Sequence, residues 1–139
     1  MEKHQAKEKT LHEGYLYLRE ATYIQPGINR NPVEKTIEYF GRGDSVAALI
    51  FDKDQEEFVL VRQYRHPARK DGGNILEIVA GGIEGESPEE SMRREVLEEI
   101  GYEVQDFELI AKMYVSPGRT DERLFLYYCE VDTSMKIDE

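Results

Sequence analysis

The stretch SPEESMRREVLEEIG, residues 87–101, constrains this chain more than any other part of it. Ser87 suits a helix N-cap, Pro88 the first helical position, and Glu90 the reciprocal partner in a capping box. Gly101 suits the C-terminal stop. A helix over residues 88–100 is therefore predicted. At about 100° per residue, Met92, Val96 and Ile100 fall on one apolar stripe. Glu95, Glu98 and Glu99 fall beside it, because positions i, i+3 and i+4 share a face. Neighbouring carboxylates repel one another unless a positive charge sits among them. A divalent cation resolves that conflict, and oxygen ligands at this spacing suit Mg²⁺ or Mn²⁺ with a phosphate substrate better than zinc. The plain alternative is a solvated acidic face, with Arg94 and Glu98 as an ordinary i,i+4 pair.

The residues before the helix favour the sharper reading. AGGIEGE, residues 80–86, is a glycine-rich turn that joins an apolar strand to the helix N-terminus, where backbone groups can face a ligand. Other strands are predicted over residues 12–23 and 33–40, with QPGINRNP (25–32) as the turn between them. DSVAALIF and EFVLVRQY form a buried hairpin around DKDQE. NILEIVAG (74–81), FELIAKMYV and RLFLYYCEV complete the strands, the last two flanking the loop SPGRTDE (116–122). Residues 1–10 are expected to be a frayed charged tail. The fold class is α+β, a largely β framework around at least one helix.

Charge and composition narrow the function classes. The chain has 139 residues, enough for one core, and a formal net charge of −11. That charge disfavours sequence-independent nucleic-acid binding, which depends on neutralising phosphates, but leaves room for a small phosphate ligand. No run of about 18 apolar residues predicts a membrane span, and the charged N-terminus lacks the apolar stretch of a signal peptide. The single cysteine, Cys129, permits no intrachain disulfide, so a cytoplasmic location is expected. His4, His12 and His66 are scattered and make no zinc pattern.

Residues 80–102, AGGIEGESPEESMRREVLEEIGY, closely resemble the signature of the Nudix hydrolases, G-x5-E-x7-R-E-U-x-E-E-x-G-U with U aliphatic. Glu86, Arg94, Glu95, Val96, Glu98, Glu99 and Gly101 fall on it in register. Ala80 stands at the first glycine position, so Gly81 comes one residue late and the loop is one residue shorter; Tyr102 takes the last position. VRQYR (61–65), LEIVAG (76–81) and YVSPGRTDE (114–122) extend the likeness to the subgroup that hydrolyses ADP-ribose and other nucleoside diphosphate sugars. The short loop and RQYR also resemble its GDP-mannose-hydrolysing members. The likeness runs from about residue 12 to 133 and is weakest before residue 40.

The resemblance implies an α/β/α sandwich around a mixed sheet, with a catalytic domain over residues 41–139. It implies that residues 1–40 hold the tail and the strands that build a homodimer. Glu95 and Glu99 are implied as the main metal carboxylates, Glu98 as sharing a metal or water, and the Ala80 carbonyl as a further ligand. Arg94, with Glu86, is implied to orient the glutamates. Arg42, Arg65, Glu77 and Glu122 match substrate-contacting positions. The implied activity is Mg²⁺- or Mn²⁺-dependent hydrolysis of a nucleotide-sugar diphosphate, ADP-ribose to AMP and ribose 5-phosphate first, GDP-mannose or another nucleotide sugar second. No nucleic-acid or membrane partner is expected. Members of that subgroup often carry the general-base glutamate on a loop beyond the point where this sequence stops, so the resemblance leaves the base unassigned; Glu98 is the nearest candidate within the sequence. A nucleotide-sugar sensor that does not cut is the competing class, and the retained glutamates argue against it.

Overall fold

The computed structural model describes residues 6–28 and 31–137. They divide into two units, one taking the chain up to Gly43 with Tyr114–Glu122, the other taking Asp44–Met113 with the chain from Arg123 onward.

The first unit is built on a three-stranded antiparallel sheet, β1 (Lys7–Glu13), β2 (Tyr17–Gln25) and β3 (Val33–Gly41), in the order β1-β2-β3. The expected frayed tail is corrected here: from Lys7 onward it is a strand, paired with β2 from Lys7↔Thr22 to Glu13↔Tyr17. KEKTLHE buries none of its side chains, so no hydrophobic period announced it; its backbone ladder to β2 makes it a strand. Residues 1–5 of that expected tail lie outside the described residues, as do Asn29 and Arg30 in the expected turn. β2 and β3 pair without a break from Tyr17↔Gly41 to Gln25↔Val33. The SPGRTDE loop lies along β3: Thr120 bridges Phe40, whose N–H donates to the Arg119 carbonyl at 3.0 Å. The Tyr17 hydroxyl donates to the Asp121 carboxylate at 2.6 Å.

The second unit carries a mixed sheet. β4 (Ser45–Asp52) runs parallel to β10 (Arg123–Val131) along its whole length, and β9 (Glu108–Tyr114) follows β10 at the edge. The other edge of β4 is shared by β8 (Val79–Gly82), opposite Ser45–Ala48, and β5 (Glu57–Val59), opposite Ile50–Asp52. This division explains two differences from the sequence reading. EFVLVRQY and NILEIVAG are not single strands. Each splits, and the inner pieces, β6 (Val61–Tyr64) and β7 (Asn74–Glu77), leave β4 to pair with each other. A turn of 3-10 helix, His66–Asp71, joins them. A period-two pattern fixes which face a side chain takes, but not which neighbour each half of a strand finds.

The one α-helix among the described residues, α1 (Pro88–Ile100), has the predicted bounds. The Glu90 N–H donates to Ser87 Oγ at 3.3 Å, and the Ser87 N–H donates to the Glu90 carboxylate at 3.0 Å. Gly101 ends the helix in the left-handed conformation, φ 72°. Met92 and Val96 are fully buried against Val46, Ala48 and Ile50 of β4, Val79 of β8, and Tyr127, Cys129 and Val131 of β10. Ile100 packs at the margin of this core. The stripe therefore fixes the rotation of α1 and so the direction in which its glutamates point. At the start of the sheet Arg123 forms an ion pair with Asp44 that fastens β10 to β4 and holds the Asp44 carboxyl below the usual carboxylate range.

Candidate active site

Burial of Met92 and Val96 places Arg94, Glu95, Glu98 and Glu99 on the flank of α1 that passes β8 and the β6–β7 hairpin. Arg94 is the hub. Its Nη2 donates to the Gly82 carbonyl at 3.1 Å and to Glu86 at 3.0 Å, and its Nε donates to Glu86 at 3.2 Å. Its Nη1 donates to Glu95 at 2.7 Å and reaches the exposed Glu98 at 3.4 Å. Glu86 also accepts from the buried Ser91 hydroxyl at 2.9 Å. Its own backbone amide, then Arg94, then Ser91 hold its carboxyl below the usual range, so it stays ionised. Arg94 is in turn held more firmly protonated, chiefly by Glu86. Arg94 and Glu86 are therefore bonded to each other, and one guanidinium ties the end of β8, the loop and the helix together.

Glu99 faces a different partner. Its Oε1 accepts from Gln63 Nε2 at 2.7 Å, while its Oε2 is buried and has no hydrogen-bond partner among the described residues. Arg65 and Glu77, both expected at the substrate, bond each other across the β6–β7 hairpin. Arg65 Nε donates to Glu77 at 2.9 Å and Nη2 lies 2.8 Å from the same carboxylate. Glu77 above all, and Glu99 to a smaller extent, raise the Arg65 pKa. Ala80 sits in β8 opposite Ala47. Arg42 and Glu122 belong to the first unit: the Arg42 guanidinium lies 4.1 Å from the centre of the Tyr15 ring, and the Glu122 N–H donates to Thr120 Oγ1 at 3.2 Å.

Among the described residues, no three His, Cys, Asp or Glu side chains converge as a ready metal cluster; Arg94 and Gln63 take the glutamates instead. The donor set nevertheless fits a hard divalent cation. It offers carboxylate oxygens, one of them buried and unpartnered, and the closely spaced Glu95 and Glu99.

A match to the NUDIX domain covers residues 41–139. The chain belongs to the Nudix family. Sequence relatives include GDP-mannose pyrophosphatases of Cronobacter sakazakii, 32% identical over 96% of this chain and 71% of the relative, and of Pectobacterium atrosepticum, 32% identical over 94% and 69%. A crystal structure of an ADP compounds hydrolase shares the fold, with a TM-score of 0.72 over 100% of this chain and 74% of that one, at 20% identity. The chain is a Nudix pyrophosphohydrolase. The glycine that stands one residue late in the signature lies against the site. A Cβ built at Gly81 would overlap the Glu95 carboxylate, so a glycine there leaves that carboxylate its present place. Sequence reading missed Gln63, Ser91 and the Gly82 carbonyl. Gln63 carried one signal, its two-residue spacing from the apolar Val61.

Proposed function

We propose that this Nudix chain hydrolyses the diphosphate bond of a nucleoside diphosphate sugar, with Mg²⁺ or Mn²⁺ held by Glu95 and Glu99. The observation that carries this reading is the buried, unpartnered Oε2 of Glu99 beside the arginine-held Glu95. Glu98 and the Ala80 carbonyl are the further ligands in this reading. A divalent cation bound there neutralises charge on the diphosphate and activates water. Arg94 and Glu86 keep Glu95 aimed. Arg65 commits Nε and Nη2 to Glu77, and the rest of its fork is assigned to a phosphate oxygen. Arg42 and Glu122 are assigned to the substrate as well.

GDP-mannose is the leading substrate, because the sequence relatives named above are GDP-mannose pyrophosphatases. Water added across the bridging oxygen would yield GMP and mannose 1-phosphate. ADP-ribose is the second reading, favoured by the likeness of VRQYR, LEIVAG and YVSPGRTDE to that subgroup. The β1–β3 sheet is assigned to a homodimer, since Ile24, Val33 and Phe40 are exposed on a sheet of only three strands. A panel of nucleotide sugars with Mg²⁺ and chromatographic identification of products tests the activity. Release of a nucleoside monophosphate with a sugar phosphate supports it, and no turnover of any member contradicts it. A monomer in sedimentation at micromolar concentration removes the dimer.

A further inference from the structure

We infer that Gln63 is a positioning residue for Glu99, holding one carboxylate oxygen so that the other stays open to a divalent cation. The inference rests on the site proposed above and adds a residue outside the signature. Val61 of β6 packs against the core, so Gln63, two residues on, faces the same side of the strand. Its backbone is pinned by pairing with Ile75, and the hairpin end is closed by the Arg65 N–H donating to the Gly73 carbonyl at 2.7 Å. The side chain therefore has little freedom, and Nε2 meets Glu99 Oε1 at 2.7 Å.

The chemistry of the donor matters as much as its place. A buried carboxylate oxygen without a partner is costly, and Glu99 Oε2 is one. The neighbouring guanidiniums make their hydrogen bonds elsewhere, although Arg65 feels the Glu99 charge. Arg94 binds Glu86, Glu95 and Glu98, and Arg65 binds Glu77. What meets Glu99 is a neutral amide. A guanidinium or ammonium would cancel the charge and fill the remaining lone pairs. An amide fixes the carboxylate plane and leaves its full negative charge for a cation. Outer groups that orient a metal ligand in this way commonly affect metal affinity by about 10–100-fold.

The test is a Mn²⁺ titration of the full chain, read from the paramagnetic resonance of free Mn²⁺, for wild type, Glu99→Gln, Gln63→Met and Gln63→Ala. Met keeps the length of Gln and removes its donor; Ala guards against a Met that packs badly. Metal-free melting curves check that each variant folds. We expect Glu99→Gln and both Gln63 variants to weaken Mn²⁺ binding, the latter about tenfold or more. We also expect the Mn²⁺ concentration for half-maximal turnover to rise in step, with kcat recovering at high Mn²⁺. A purely structural role would lower the melting midpoint and leave Mn²⁺ affinity alone. If Glu99→Gln weakens binding but both Gln63 variants bind as wild type, the inference is wrong and the site stands. If Glu99→Gln also binds as wild type, the site itself is misplaced and the inference falls with it.

Discussion

Replacing Arg94 by Met keeps an unbranched apolar stem and removes every donor of the hub. The bonds to Glu86 and to Glu95 are the main losses; Glu95 is only 12% exposed, and a hydrogen bond to such a charged group contributes about 1.5–3 kcal/mol. The Gly82 carbonyl loses a donor, a further ~1 kcal/mol. The contact with Glu98, which is 60% exposed and 3.4 Å away, adds nothing measurable. Because the Arg94 side chain is itself 32% exposed, solvent screening reduces the sum to about 2 kcal/mol at neutral pH. The loss should depend on pH. Glu86 has a depressed folded-state pKa, so its contribution is present above the unfolded carboxylate value of about 4.3 and disappears as pH falls through the folded value. Arg94 is one source of that depression, so the variant has less to lose in acid. Urea unfolding followed by circular dichroism at about pH 7 and about pH 3 measures both stabilities. The gap should be near 2 kcal/mol at the first and smaller at the second. A variant as stable as wild type at neutral pH, or a gap that widens in acid, refutes the hub.

Gly81→Ala should push the Glu95 carboxylate aside and reduce hydrolysis sharply, with only a small change in thermal unfolding because the end of one side chain is what must move; wild-type turnover would show that Glu95 need not stay where it is. Met92→Ala should cost about 2–5 kcal/mol, the range for emptying a core site, with little effect on KM, as chemical unfolding and steady-state kinetics would reveal. Burial pushes the Cys129 thiol up to about 11, so iodoacetamide should leave it unmodified in the native chain near neutral pH. The same shift makes stability fall between about pH 9 and 11, where the unfolded thiol ionises and the folded one does not, which unfolding at several alkaline pH values would detect.

Much of the second unit was legible because its signals are local. Ser87, Pro88, Glu90 and Gly101 mark both ends of α1, and the Met92–Val96–Ile100 stripe gives its rotation, so the glutamate flank follows from the sequence. Pairing was less legible, because it is settled between distant segments. Nothing within EFVLVRQY shows that Val59 stays on β4 while Val61 joins β7. β1 was missed for the opposite reason: KEKTLHE has no buried face, and only its backbone makes it a strand. In the site, the charged residues were readable, and the neutral side chains bonded to them, Gln63 and Ser91, were not. Arg94 bonds both Glu86, its expected partner, and Glu95, which it was expected to orient. Arg65 and Glu77 were read as separate substrate contacts, and their bond to each other depends on the register of β6 with β7. Gln63 has no charge to draw attention to it, and its meaning appears only when Glu99 is placed beside it.

Metal-dependent hydrolysis of a nucleotide-sugar diphosphate is proposed to rest on Glu95 and Glu99. The most direct measurement is nucleoside monophosphate release from GDP-mannose and ADP-ribose by wild type, Glu95→Gln and Glu99→Gln, each with Mg²⁺ and with chelator. Gln keeps shape and hydrogen bonding while removing the charged ligand, so folding should persist and turnover should fall by orders of magnitude. Release is expected from wild type only with Mg²⁺, and near background from both variants. Near wild-type hydrolysis by both variants, or by wild type in chelator, would contradict the proposal.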